Sequence, residues 1–304
     1  MNRDVMLKPN KRAAIFVHYD RDGLVDDYVL FYLSSIRKVC NLIVFVSTAA
    51  LSEAELEKTR SLADAVIIRE NVGHDFFSYK TGLEELKKRG LENYPEIILC
   101  NDSVYGPLYP IEEMFATMEN SDADFWGVTD SREITHHIQS YFMVFRKSVF
   151  LSEAFLNFWA TMVPVSDRFE VVRRYETGLS RLLEMNTYKS AVYVNAGAFA
   201  FLACLRFILA KFNKIRTLSW KASRLKLTNL ARRPSSIYPN PTFALWKELL
   251  VKRRNPFLKV SLFRENPAGV NIADFPETIK NATNYDVQLI TKHLARVKRG
   301  EATI

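Results

Sequence analysis

Three polar runs hold most of the chemistry within reach of this chain. They read His18-Tyr19-Asp20, Arg69-Glu70-Asn71-Val72-Gly73-His74-Asp75 and Asn101-Asp102-Ser103-Val104-Tyr105-Gly106-Pro107, and each follows an apolar stretch. Any one of them would serve as a turn or a helix cap, since Asn, Asp and Ser do both. Three at the ends of successive strands would instead line the edge where open α/β sheets bind their ligands. A fourth polar segment holds adjacent histidines, His136 and His137. Neighbours on an extended segment face opposite ways, so at most one of the two points inward, which weighs against a two-histidine metal site. Cys40, Cys100 and Cys204 stand far apart in apolar runs, with no CxxC pair, and read as buried reduced thiols.

The elements that must position these runs follow from apolar periodicity. Short apolar runs predict strands over 13–19, 42–47, 65–68 and 96–100, and helical spacing predicts helices over 26–39, 51–62 and 77–89. This βαβαβαβ order predicts an α/β fold with a mostly parallel sheet covered by helices. Beyond Pro107, helices are expected over 111–118, 150–161 and 171–184, and strands over 125–129 and 141–146. The run 192–210 is almost wholly apolar but holds Asn195 and Arg206. It reads as a strand followed by an amphipathic helix, although its length approaches the ~20 residues of a bilayer span. Pro239, Pro241, Pro256, Pro267 and Pro276 predict extended segments and short helices in the tail rather than a new domain.

Composition narrows the class further. Apolar residues make up 48% and charged residues 25% of the 304, which excludes a disordered chain, a collagen-like repeat and a disulfide-stapled miniprotein. The net charge of +8 is uneven: 185–247 holds no Asp or Glu and eleven basic residues, so the rest of the chain is slightly acidic. Within 211–233 the cations interleave with Phe212, Ile215, Leu218, Trp220, Leu225, Leu227 and Leu230. That pattern fits a segment lying on an anionic membrane surface, the alternative being a solvated basic helix packed on the body. No RNA- or DNA-reading motif accompanies the charge, so nucleic acid is not an expected partner. The first residues lack an apolar h-region, so no signal peptide is expected and the cytoplasm is the expected location.

Several motifs together resemble the rhamnan synthesis F family of glycosyltransferases. They are RENVGHDFFSYKTGL (69–83), NDSVYGPL (101–108), ADFWGVTDS (123–131), HHIQSYFMVFRKSVF (136–150), YETGLS (175–180), NPTFALWKELL (240–250) and NPFLKVSLFRENP (255–267). The resemblance implies a GT-A-like, Rossmann-type sheet flanked by helices, with a basic helical insert and a C-terminal extension. It implies transfer of a deoxyhexose, typically L-rhamnose from dTDP-β-L-rhamnose, to a growing cell-surface polysaccharide or lipopolysaccharide O-antigen glycan on a lipid carrier. The expected division is 1–200 for the nucleotide-sugar-binding catalytic core, 201–235 for the basic membrane-facing insert and 236–304 for a part packing on the core and completing the acceptor side. The enzyme would be peripheral on the inner face of the cell membrane.

Such a transfer expels a diphosphate, whose developing charge must be stabilised. A divalent metal, Mg²⁺ or Mn²⁺, held by carboxylates would do this. The strand-end position reads Asn101-Asp102-Ser103, with one carboxylate, so Asp102 is the expected ligand while Asn101 and Ser103 contact ribose or phosphate. The acceptor hydroxyl needs a general base. Glu176 is expected in that role, with Asp130 as its competitor, and a helix-starting acid favoured by the dipole is the plain alternative for Glu176. His18, Tyr19, Asp20, Asn71, Gly73, Asp75, Tyr79 and Lys80 are the expected donor contacts, and His137, Gln139 and Ser140 the expected sugar contacts. The competing function is a non-catalytic scaffold of a polysaccharide assembly complex, which would need neither Asp102 nor Glu176.

Overall fold

The computed structural model describes residues 12–197, 205 and 240–301. The basic stretch 211–233, Cys204 and most of 192–210 lie outside the described residues.

The apolar runs form β1 (Ala13–His18), β2 (Leu42–Ser47), β3 (Ala65–Ile68) and β4 (Glu96–Asn101), joined by α1 (Asp27–Arg37), α2 (Glu53–Arg60) and α3 (His74–Lys88). There follow β5 (Val104–Tyr105), α4 (Ile111–Glu119), β6 (Phe125–Gly127), β7 (Asp130–Ser131), β8 (His137–Ile138) and β9 (Phe142–Arg146). Next come α5 (Lys147–Phe150), α6 (Glu153–Ala160), α7 (Arg168–Val171), α8 (Thr177–Met185), β10 (Ser190–Val192) and β11 (Leu258–Lys259). Seven of these strands make one sheet in the order β3-β2-β1-β4-β9-β6-β10. The strand β9 runs against both of its neighbours, β4 and β6, and the remaining pairs are parallel. This is the mostly parallel α/β sheet expected from the sequence.

Strands covered on both faces must be apolar on both, and all six residues of β1 and of β2 are buried. Alternate side chains then divide the core in two. Ala14, Phe16, Ile43 and Phe45 face α1 and α4 together with Trp246, Leu249, Leu262 and Ile290 of the C-terminal part. Ile15, Val17, Val44 and Val46 face Phe76 and Leu83 of α3, Phe155 and Trp159 of α6 and Leu183 of α8.

Several elements differ from their expected bounds: the strand expected over 125–129 ends at Gly127, and the strand expected at the start of 192–210 lies at Ser190–Val192. Helix α3 starts at His74 rather than residue 77, because Gly73 caps it with φ +76 and frees the turn to begin earlier. The helix expected over 150–161 is interrupted at Ser152, whose hydroxyl accepts from the Phe155 amide and starts a new helix, α6. The helix expected over 171–184 begins at Arg168 and carries a π-helical turn, Val172–Glu176, between α7 and α8. The tail is more helical than its prolines suggest, ending in the 14-residue helix Gln288–Glu301.

Sheet and helix approach closely at Gly82, where an added Cβ would sit 2.3 Å from Cγ2 of Ile15. Gly82→Ala therefore overpacks the α3–β1 contact and lowers stability by about 1–3 kcal/mol. Chemical denaturation checks this, and an unchanged midpoint would contradict it.

Candidate active site

The three polar runs meet at the carboxyl edge of the sheet. The Asp102 amide donates to the Val17 carbonyl at 3.2 Å. The Asp102 carboxylate accepts from the Tyr19 amide at 2.9 Å, and the Tyr28 hydroxyl donates to the Asp102 carbonyl at 3.0 Å. Asn101, buried at the end of β4, donates through Nδ2 to Asp75 at 2.9 Å. Its Oδ1 accepts from the Ser103 amide at 3.2 Å and from the Ser103 hydroxyl at 2.6 Å. Asp75 lies in the first turn of α3, which Gly73 aims at the sheet; a Cβ at Gly73 would stand 2.7 Å from Phe77 Cβ and 3.1 Å from Pro164 Cα. His74 fastens the same loop by Nε2 to the Ser166 carbonyl, 2.8 Å away.

The electrostatics of this edge are those of a site short of positive charge. Burial raises the Asp102 carboxyl well above the usual carboxylate range, and the neighbouring Asp75 and Asp20 push the same way against the Tyr19 amide. Burial also raises Asp75, with Glu176 adding to it and Arg168, His74 and Asn101 opposing.

Glu176 is the last residue of the π-helical turn, a feature common at functional sites because it redirects one side chain out of helical register. Its Oε1 accepts from the Ser140 amide at 2.8 Å, and the Ser140 carbonyl accepts from the Tyr79 hydroxyl at 2.9 Å. Glu176 is thus held between α8 and the segment entering β9. Asp130 is placed differently: His136 Nε2 lies 3.2 Å from its carboxylate, and Nδ1 of the same ring is 3.4 Å from Glu184. Burial opposes ionisation of Asp130, but the hydrogen bond and charge of His136 outweigh it and hold the carboxyl below its usual range. His137 turns the other way and is buried, as alternation along a strand requires.

Several expected contacts have intramolecular partners instead. His18 is buried, with Nδ1 on the Ser47 hydroxyl at 3.0 Å and Nε2 3.9 Å from Asp102. Burial lowers its pKa to about 4, so the imidazole is neutral at pH 7, bonded to Ser47 in the core. Asp20 is held by Arg296 at 2.5 Å and by the amides of Asp22 and Leu24. Tyr79 is fully buried, and Lys80 departs from the expected phosphate contact because its ammonium caps the end of α6, donating to the carbonyls of Ala160 and Met162. Gln139 is buried against the Thr129 hydroxyl, and His137 Nδ1 meets the Thr135 carbonyl. Tyr19 and Asn71 are exposed at the edge.

One cation was missed at the sequence level. Lys259 on β11 is brought beside this edge by main-chain pairing with β5, and burial lowers its pKa while Glu176 and Glu133 favour its charge. The signal available was a lone lysine in the otherwise apolar run PFLKV. The metal expected at Asp102 meets a thin donor set. A hard divalent cation takes six or more oxygens, whereas among the described residues no group of three or more His, Cys, Asp or Glu side chains is placed to hold one. One oxygen of Asp102 accepts from the Tyr19 amide, and the described side chains alone do not complete a metal's coordination shell.

The family described as "Rhamnan synthesis protein F" matches residues 43–207. The virulence protein VirA of Vibrio anguillarum is 28% identical over 279 residues, covering 89% of this chain and 83% of that protein. Among solved structures, core-mannan synthase A of Aspergillus fumigatus in its Mn/GDP form is 11% identical with a TM-score of 0.30, over 52% of this chain and 65% of that one. A cytidylyltransferase from Leptospira borgpetersenii is 14% identical with a TM-score of 0.34, over 76% and 98%. These structural likenesses are too slight to carry function to this chain.

The raised Asp75 carboxyl has a consequence for stability. A carboxyl whose folded pKa lies above its unfolded value stabilises the fold below the unfolded pKa and loses that contribution as pH rises through the folded one. Asp75→Asn keeps an oxygen for Asn101 and carries no charge. Its melting temperature relative to the parent protein should therefore climb between pH 4 and pH 8. A difference that stays flat with pH would count against the buried-charge reading.

Proposed function

The chain belongs to the rhamnan synthesis protein F family, and on that premise we propose that it is an inverting glycosyltransferase using a nucleotide-sugar donor. The donor is dTDP-β-L-rhamnose and the acceptor a lipid-linked polysaccharide or O-antigen glycan. The observation that carries this reading is the convergence on one sheet edge of Glu176, fixed by the Ser140 amide, with the hydrogen-bonded group Asp75, Asn101, Ser103 and the adjoining Asp102.

The exposed Tyr19 ring and Asn71 take the base and ribose, while the backbone face that Gly73 leaves bare is filled by Phe77 and Pro164 and serves to set the loop beside Asp75. Asn101, Asp102 and Ser103 stand at the ribose and diphosphate. Ser140 reads a sugar hydroxyl, with the buried Gln139 and His137 positioning it from behind. Glu176 removes the proton of the attacking acceptor hydroxyl. The acceptor oxygen forms its bond to C1 from the face opposite the departing phosphate oxygen, which keeps the electron pair of the broken bond. A single displacement of this kind inverts the configuration at C1 and needs no covalent enzyme intermediate. Asp130 is taken up by its ion pair with His136, which leaves Glu176 as the base.

Among the described residues no helix is long and apolar enough to cross a membrane. The basic stretch 211–233 brings the enzyme to an anionic lipid surface beside its lipid-linked acceptor, each near-surface cation contributing about 1 kcal/mol.

Glu176→Gln should lower kcat about 10²–10⁴-fold, the usual worth of a general base, with little change in donor KM. A donor-consumption assay reads this, and unchanged turnover in both Glu176→Gln and Asp102→Ala would favour the scaffold. Deleting 211–233 should weaken binding to anionic liposomes and flatten its salt dependence; binding that is undiminished would remove the membrane contact.

A further inference from the structure

Lys259 is fixed by its main chain next to the polar strand end. In the antiparallel β5–β11 pair it stands opposite Val104, and the Val260 amide donates to the Ser103 carbonyl at 2.9 Å. Asp102 is therefore one residue from a direct main-chain bond to the residue that follows the lysine. The ammonium lies 5.4 Å from the centroid of the Tyr141 ring and 5.5 Å from that of Phe243. Tyr141 adjoins Ser140, whose amide holds Glu176, so the cation sits on the Glu176 side of the edge.

Lys259 is half-buried, and among the described residues no carboxylate lies within salt-bridge distance of its ammonium. Two aromatic faces stabilise the cation without neutralising it. Withdrawing a charge from water without a counter-ion is unfavourable, and such groups concentrate where a ligand supplies the opposite charge. Glu176 and Glu133 favour the charged form and Arg168 opposes it, the latter acting on Asp75 as well. A fixed cation thus stands at an edge whose other ionisable groups are mostly acids, and where the protein side chains do not assemble a metal centre.

We infer that Lys259 is a further catalytic residue, whose ammonium receives the diphosphate leaving group at this edge. The inference rests on the glycosyltransferase reading above. As the C1–oxygen bond breaks, its electron pair passes to the terminal phosphate oxygen, and the Lys259 N–H groups donate to that oxygen. The acceptor proton goes to Glu176, and Lys259 keeps its protons throughout. A fixed ammonium stabilises charge that grows during bond breaking more than charge already present in the bound donor.

The test is nucleotide binding, read by thermal shift and calorimetry, on the full chain with dTDP, UDP and GDP and their monophosphates, in EDTA and in Mg²⁺. In EDTA the parent protein should bind at least one diphosphate more tightly than its monophosphate. Lys259→Gln should lose about tenfold or more in diphosphate affinity, as expected for a charge-assisted hydrogen bond, and leave the monophosphate unchanged. Lys259→Arg should recover most of the loss, which also separates lost charge from a disturbed β11. Undiminished diphosphate affinity in Lys259→Gln would overturn the inference, as would a preference for diphosphate that exists only with Mg²⁺. A parent protein that binds no nucleotide would overturn the transferase reading itself, a result distinct from either.

Discussion

Two main-chain amides tie the centre of this molecule to its chemistry. The amide of Asp102 reaches back to Val17, continuing the β1–β4 ladder one residue past the strand, and the amide of Tyr19 turns onto the Asp102 carboxylate. The side chain that interrupts an apolar strand with charge is thereby held by the neighbouring strand. Because β1 is fully buried between β2 and β4, its register is set on both sides, and the position of Asp102 follows from that register. Asn101, one residue earlier, points to α3 and holds Asp75. One strand end thus collects the polar groups of three connections.

The arrangement concentrates acids, and the rest of the fold answers with cations from distant parts of the chain. Arg296, on the last helix, takes Asp20, Asp22 and Asp26 together and holds the loop after β1 against the C-terminal part. Tyr105 and His293 make a second tie, 2.6 Å long, between the strand-end loop and the same helix. Lys259 arrives on β11 and Arg168 at the start of α7, so positive charge enters from segments far in sequence from Asp75 and Asp102. The C-terminal part therefore completes one face of the core and also brings charge to the sheet edge.

Much of the sheet was legible because its signal is local. A run such as AAIFVH or LIVFVS is apolar on both faces only when both are covered, and the four first strands follow directly. The convergence of the three polar runs was legible for the same reason, since parallel strands end on one edge. What was hidden depends on tertiary partners. His18 reads as a pocket residue until Ser47, on the adjacent strand, and the surrounding core turn it inward. Lys80 reads as a phosphate ligand until the end of α6 arrives to be capped. The π-helical turn that aims Glu176 has no composition of its own, and Lys259 reaches the site through a pairing with β5 that spans more than 150 residues, where no periodicity can report it.

The reaction proposed for this sheet edge is a single displacement, with Glu176 taking the acceptor proton. The most direct measurement follows the anomeric centre by NMR while the protein turns over dTDP-β-L-rhamnose with a lipid-linked glycan acceptor. An α-linked product formed as dTDP is released is the expected result. A β-linked product, or no turnover of any nucleotide sugar by the intact chain, would contradict it.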